Sequence, residues 1–166
     1  MNTASMCTDL LIRNGSVADA ESVQGIAGPI MESYGLVPDF ELLDYELGHF
    51  GQGYQGAIAQ LVACIGERVV GSAILKEYQP SVAKLTGFYV CGQFRGRGAG
   101  QQLLIEVIQR ARESGCSAIY LETWDKMEAA TALYKRLGWQ KVKDLPPDSG
   151  AERGYLLELG SIAGFV

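Results

Sequence analysis

The sequence predicts an α+β fold, a three-layer α/β arrangement in which a mixed, mostly antiparallel sheet of about six to seven strands is flanked by about four helices. Three observations carry this. Ile58 to Ile65, Arg68 to Lys76 and Val82 to Cys91 are consecutive strand-like runs joined only by Gly66-Glu67 and Gln79-Pro80-Ser81. Strands joined by such short turns must be antiparallel. The run Val82 to Cys91 is followed by a glycine-rich turn, a helical pattern and the apolar strand Ala118 to Thr123. A strand, helix, strand order in one sheet requires a parallel pair with a right-handed crossover. Finally, Trp139 to Val142 and Gly154 to Leu159 flank the turn Pro146-Pro147-Asp148-Ser149-Gly150 and read as a closing hairpin.

Taken in order, Leu10 to Arg13 is a short strand ended by Asn14-Gly15. Ser16 or Asp19 caps a helix through about Met31, which Gly25, Gly28 and Pro29 are expected to break into two parts. Asp39 opens a second helix, Phe40 to Phe50, with Asp39, Glu41, Asp44 and Glu46 on a solvated face. Leu103, Leu104, Val107, Ile108 and Ala111 repeat at helical spacing up to Arg112, and Gly115 closes that helix. Met127 to Leu137 is a short helix ended by Gly138, and Ser161 to Val166 has no assignable structure.

A chain of 166 residues, 48% apolar and 20% charged, is long enough to bury a core and is expected to form one domain over 1–166. Fourteen basic against 19 acidic side chains give a net charge of −5 with no basic block, which argues against a nucleic-acid partner and does not repel a cationic one. Cys7, Cys64, Cys91 and Cys116 form no C-x-x-C and read as free thiols in a reducing compartment. The start Met1-Asn2-Thr3-Ala4-Ser5 lacks a basic signal region, and no apolar run approaches the roughly 18 residues of a membrane span. The expectation is a cytoplasmic protein without a membrane partner. His49, the one histidine, has no second to form a metal pair, so no metal is expected.

The turn after Val82 to Cys91 carries the chemistry. Gly96, Gly98 and Gly100 alternate with Arg97 and Ala99 behind Arg95, just before a helix. Such glycines permit positive φ and remove the Cβ atoms that would hold an anion away from the helix N-terminus. No Lys-Ser or Lys-Thr follows, so this is not a Walker A loop. Gln101 stands where a dinucleotide fingerprint needs its third glycine. The pattern that fits is Arg/Gln-x-x-Gly-x-Gly/Ala, as Arg95-Gly96-Arg97-Gly98-Ala99-Gly100. A second run, Met127-Glu-Ala-Ala130-Thr-Ala-Leu133-Tyr134-Lys-Arg-Leu-Gly138-Trp139, follows downstream.

Both stretches resemble the GCN5-related N-acetyltransferase (GNAT) family, the second matching its Asn-x-x-Ala-x-x-Leu-Tyr-x-x-x-Gly-Phe run with Met127 in place of Asn. The resemblance implies a GNAT-type sheet with a splayed central parallel pair and acetyl-CoA as co-substrate. It implies that Arg95, Gly96, Arg97, Gly98, Ala99, Gly100 and Gln101 hold the diphosphate. Phe88, Tyr89 and Val90 would pair through their backbone with the pantetheine arm, and Tyr134 would protonate the leaving thiolate. Lys84 occupies roughly the strand region where histone-type members carry a catalytic Glu, which argues against carrying that assignment over.

Direct transfer of acetyl to a primary amine needs a proton acceptor, because such an amine is protonated at neutral pH with an unperturbed pKa of about 10.4. Glu122, at the end of its strand, is the candidate base, with Glu77, Tyr54 or a relaying water as alternatives. Cys91 has no neighbouring histidine to make it a nucleophile. The acceptor is an amine-bearing molecule, a small one ahead of a protein, set by Met31 to Gln55 and the loop Lys143 to Arg153. Its identity stays open, as does the choice between monomer and homodimer. Two other readings remain: a catalytically silent CoA-binding sensor or interaction module, and a nucleotide-binding oxidoreductase with Glu122 on a ribose.

Overall fold

The computed structural model describes residues 9–160. Its strands are β1 (Leu10–Asn14), β2 (Ala57–Ile65), β3 (Arg68–Gln79), β4 (Val82–Val90), β5 (Ala118–Thr123), β6 (Gln140–Lys141) and β7 (Arg153–Glu158). They form one seven-stranded sheet in the order β1-β2-β3-β4-β5-β7-β6, parallel only between β4 and β5. Helices α1 (Ala20–Ser33), α2 (Tyr45–Gly48), α3 (Ala99–Glu113) and α4 (Glu128–Arg136) flank it, with 3-10 turns at Val17–Asp19 and Gly92–Phe94. Gly66 takes φ 62° at the β2–β3 hairpin. Pro80 fixes the β3–β4 turn and leaves Ser81 at φ 64°. The predicted mixed sheet, its four helices and its parallel pair are all present. Ser161 to Val166 and Cys7 lie outside the described residues.

Each sheet face buries a separate apolar cluster. On one, Leu103, Leu104, Val107 and Ala111 of α3 and Leu133 of α4 pack on Leu61, Leu75, Leu85, Ile119 and Leu121. Each fully buried leucine there contributes about 2 kcal/mol. On the other face, Val23, Ala27 and Met31 of α1, one helical turn apart, join Leu47 and Phe50 against Val62, Cys64 and Ile74. Among the described residues no helix is long and apolar enough to cross a membrane.

Three sequence expectations are corrected. The first helix is not broken: α1 runs unbroken through Gly25, Gly28 and Pro29. Its buried stripe holds it on the sheet, while Gly25 and Pro29 both face outward. Water can therefore solvate the Gly25 carbonyl that Pro29 has no N–H to reach. The helix expected over Phe40 to Phe50 shrinks to the four residues of α2. Asp39 Oδ1 accepts the Leu42 amide at 3.1 Å, and Asp44 Oδ2 accepts the Asp39 amide at 2.8 Å. These side-chain bonds satisfy the backbone in a turn instead of a helix. The strand from Trp139 keeps only Gln140–Lys141, because Trp139 itself turns into the core, 3% exposed.

The entry to α1 is fixed by Arg13, whose guanidinium donates two bonds of 2.9 Å to Asp19, which also accepts the Ser16 amide at 2.8 Å. Arg13 holds the Asp19 carboxyl below its ordinary value of 3.8. Arg13 is 41% exposed and screened by solvent, so Asp19→Asn is expected to cost only about 1–2 kcal/mol. A lowered folded value means the contribution is complete above pH 3.8 and lost as pH falls through that lowered value. Urea melts of the two proteins should therefore differ at pH 7 and converge in acid.

The feature that shapes the site is the break between β4 and β5. Their register covers only Val82 with Ala118, Ala83 with Ile119 and Lys84 with Tyr120. Beyond Lys84, β4 leaves its neighbour. Between Ser72/Tyr89 and Ile74/Thr86 the β3–β4 register slips, so β4 carries one extra residue. Gly87 takes φ 58° in this bulge, where a Cβ would stand 2.6 Å from Ile74 Cδ1. Ser72 Oγ donates to the Gly87 carbonyl at 2.7 Å and holds the bulge in place.

Candidate active site

The bulge turns the last residues of β4 towards α3. Gly96 and Gly98 follow with φ 82° and 86°, conformations open to glycine. Gly98 is the N-cap of α3, and its carbonyl accepts the Gln102 amide at 2.9 Å. The amides of Ala99, Gly100 and Gln101 therefore have no intrahelical acceptor and sit at the positive end of the dipole. Gly100 lets three elements meet: a Cβ there would lie 3.1 Å from Leu133 Cδ2 and 3.5 Å from Phe88 Cζ.

A cavity of about 400 Å³ extends from these amides along β4. Of the residues singled out in the sequence, Phe88, Tyr89, Val90, Arg95, Gly96, Gly98, Ala99, Gly100 and Gln101 line it. Arg97 does not; its guanidinium stacks on Phe94, 5.4 Å from the ring centre. The opposite wall comes from Ile30 and Tyr34 at the end of α1, and from Met127, Ala130, Leu133 and Arg136. Ile30, Tyr34, Phe94 and Arg136 carry no sequence signal for this role. Met127 also caps α4, its carbonyl accepting the Thr131 amide at 3.1 Å.

Tyr134 is buried behind this wall and does not line the cavity. Its ring packs 6.0 Å from Phe88, 5.6 Å from Trp139 and 5.8 Å from Tyr155. Burial, with the phenols of Tyr89 and Tyr155 nearby, raises its pKa well above the usual tyrosine value. Tyr89, on the cavity wall, is pushed up to about 12 by burial and then by Asp44.

Glu122 lies on β5 two residues past Tyr120, where pairing with β4 ends. Its Oε2 accepts the Tyr120 hydroxyl at 2.8 Å and its Oε1 meets Lys84 Nζ at 3.4 Å. Lys84 also lies 5.4 Å over the Tyr78 ring, which stacks on Tyr120. Glu122 of β5 and Lys84 of β4 thus form one pair across the two parallel strands. Glu77 is exposed on β3. Tyr54 Oη is buried without a hydrogen-bond partner among the described residues, in the field of Glu46 and Tyr45. His49 stacks on Tyr45 at 3.8 Å. Cys64, Cys91 and Cys116 are free thiols.

The residues present suit an anionic, extended cofactor. Ala99, Gly100 and Gln101, whose amides lack intrahelical acceptors, line one end of the cavity, and Thr86 Oγ1, buried beside the bulge, has no hydrogen-bond partner among the described residues. The sequence profile of the Acetyltransferase (GNAT) family matches residues 29–139, which span the cavity from the end of α1 through α4. The chain belongs to the GNAT acetyltransferase family. Among GNAT relatives, the Escherichia coli K12 protein named uncharacterized N-acetyltransferase YjgM is 28% identical over 138 residues, covering 80% of this chain and 83% of that one. A GNAT acetyltransferase from Staphylococcus aureus Mu50 superposes with a TM-score of 0.81 at 23% identity, over 91% of this chain and 99% of the other. The PaiA N-acetyltransferase of Thermoplasma acidophilum, solved with coenzyme A, gives 0.71 at 16% identity over 91% and 99%. These last two share the GNAT fold, and the chain is an acyltransferase of that family.

Proposed function

We propose that this enzyme moves an acetyl group from acetyl-CoA to a primary amine by direct attack within a ternary complex. The observation that carries the reading is the continuous cavity from the unpaired α3 amides, along Phe88 to Val90, towards the gap where β4 leaves β5. Arg95 and the amides from Gly96 to Gln101 would bind the diphosphate. The free edge of β4 at Phe88, Tyr89 and Val90 would pair with the pantetheine amides as an added strand. Acetyl-CoA supplies the acyl thioester.

Glu122 takes the proton of the attacking amine. An amide of Tyr89 or Val90 donates to the acyl oxygen as negative charge develops on it. Tyr134, kept neutral by its burial, gives its proton to the departing sulfur. The acceptor is a small cationic amine. Asp44, whose pKa is raised by burial and by Asp39 and Glu46 beside it, lies close enough to Tyr89 to perturb that phenol. Carboxylates crowded there favour an ammonium group.

The tie of Glu122 to Lys84 and Tyr120 favours a second reading, a module that binds CoA without turnover. Thiol release from acetyl-CoA, followed for a panel of polyamines, amino acids, aminoglycosides and peptide N-termini, separates the two. Release with a small amine is expected. Calorimetric CoA binding with no release from any amine would establish the silent module, and no CoA binding would remove both.

A further inference from the structure

A second cavity, of about 410 Å³, lies between α1 and the β2–β3 hairpin, and Ile30 lines both it and the first. A volume of this order accommodates a nucleoside-sized ligand. Gly25 faces it from α1, where an added Cβ would meet no atom within 4 Å. Arg68, the first residue of β3, stands in its wall with Glu67 beside it.

The Arg68 guanidinium lies 4.8 Å from the centre of the Phe94 ring, on which Arg97 stacks as well. Phe94 itself lines the first cavity. Two cations from distant parts of the chain are therefore held on one ring at the junction of the two cavities, with Arg95 next to it in sequence. Among the described residues, none of Arg68, Arg95 and Arg97 has a carboxylate partner. Among those residues the Arg68 guanidinium donates a hydrogen bond to Gln93 Oε1, at 3.4 Å. Stacking offsets part of the repulsion between like charges. A doubly charged anion would remove the rest.

We propose that the second cavity takes the nucleotide end of CoA and that Arg68 pairs with its 3′-phosphate. This rests on the acetyl-CoA reading of the first cavity. A guanidinium fork matches two oxygens of a phosphomonoester, whereas the diphosphate is already served by the α3 amides. Glu67, an acceptor on the same wall, suits the exocyclic amine of adenine. Arg68 would thus make the enzyme distinguish CoA from 3′-dephospho-CoA.

Calorimetric titration of the wild type and Arg68→Ala with CoA and with 3′-dephospho-CoA tests this. The wild type is expected to bind CoA about tenfold more tightly than dephospho-CoA, and Arg68→Ala to bind both at the weaker affinity. Adenosine 3′,5′-bisphosphate should compete with CoA on the wild type and much less on the variant, which separates a nucleotide seat from a general anion site probed with inorganic phosphate. Equal affinity of the wild type for both cofactors, or an unchanged ratio in Arg68→Ala, overturns the inference and leaves the acetyl-CoA site standing. Failure of the wild type to bind either cofactor overturns both.

Discussion

Tyr134→Phe is expected to lower kcat by about 100-fold or more while leaving the KM for acetyl-CoA within a few-fold of wild type. The substitution removes one hydroxyl and keeps the ring in its packing against Phe88, Trp139 and Tyr155, so neither the fold nor the cavity wall should change. Steady-state kinetics with a thermal melt beside them make the measurement. Because burial raises the Tyr134 pKa, the phenol stays protonated, and competent as an acid, through its ordinary value of 10. Loss of kcat in the wild type well below that pH would have to come from another group. Unchanged turnover in the variant would show that the sulfur leaves without help from this residue.

Gly98→Val should act on the other end of the cofactor, raising the KM and Kd for acetyl-CoA about 100-fold, or close to 2.7 kcal/mol. A β-branched residue is strained at φ 86°, by about 1–3 kcal/mol, and relaxing that strain turns the first amides of α3 out of alignment. Gly115, with φ 81° just past the far end of α3, provides the comparison. Gly115→Val should cost similar stability and leave acetyl-CoA affinity unchanged. If both variants bind acetyl-CoA equally well, the loop amides do not hold the diphosphate.

The sheet was legible in the sequence because its strands alternate or run apolar over lengths that only strands fill, and because Gly66-Glu67 and Pro80-Ser81 mark the turns. What could not be read locally depended on partners distant in sequence. Gly25 and Pro29 weaken a helix in isolation, yet Val23, Ala27 and Met31 find a sheet to pack on. Asp39 and Asp44 read as helix acids, and the structure spends their oxygens on each other's turn. In the candidate site, the glycine-rich loop was visible because its spacing is local. The wall formed by Ile30, Tyr34 and Arg136 was not, since nothing in those segments refers to β4. The pairing of Lys84 with Glu122 required the register of the parallel strands, which adjacent residues do not encode.

That register also bears on how the molecule comes apart. With only three residue pairs between β4 and β5, the sheet consists of two ladders stitched along a short seam, β1 to β4 on one side and β5 to β7 on the other. Backbone groups of β4 past Lys84 are held by β3 but not by β5, so this seam is expected to open at lower cost than the ladder from β1 to β4. A cofactor that completes the β4 edge would close this opening route, and its binding energy would appear directly as resistance to unfolding. The proposed cofactor groove and this short seam are neighbours, so occupancy of the first should strengthen the second.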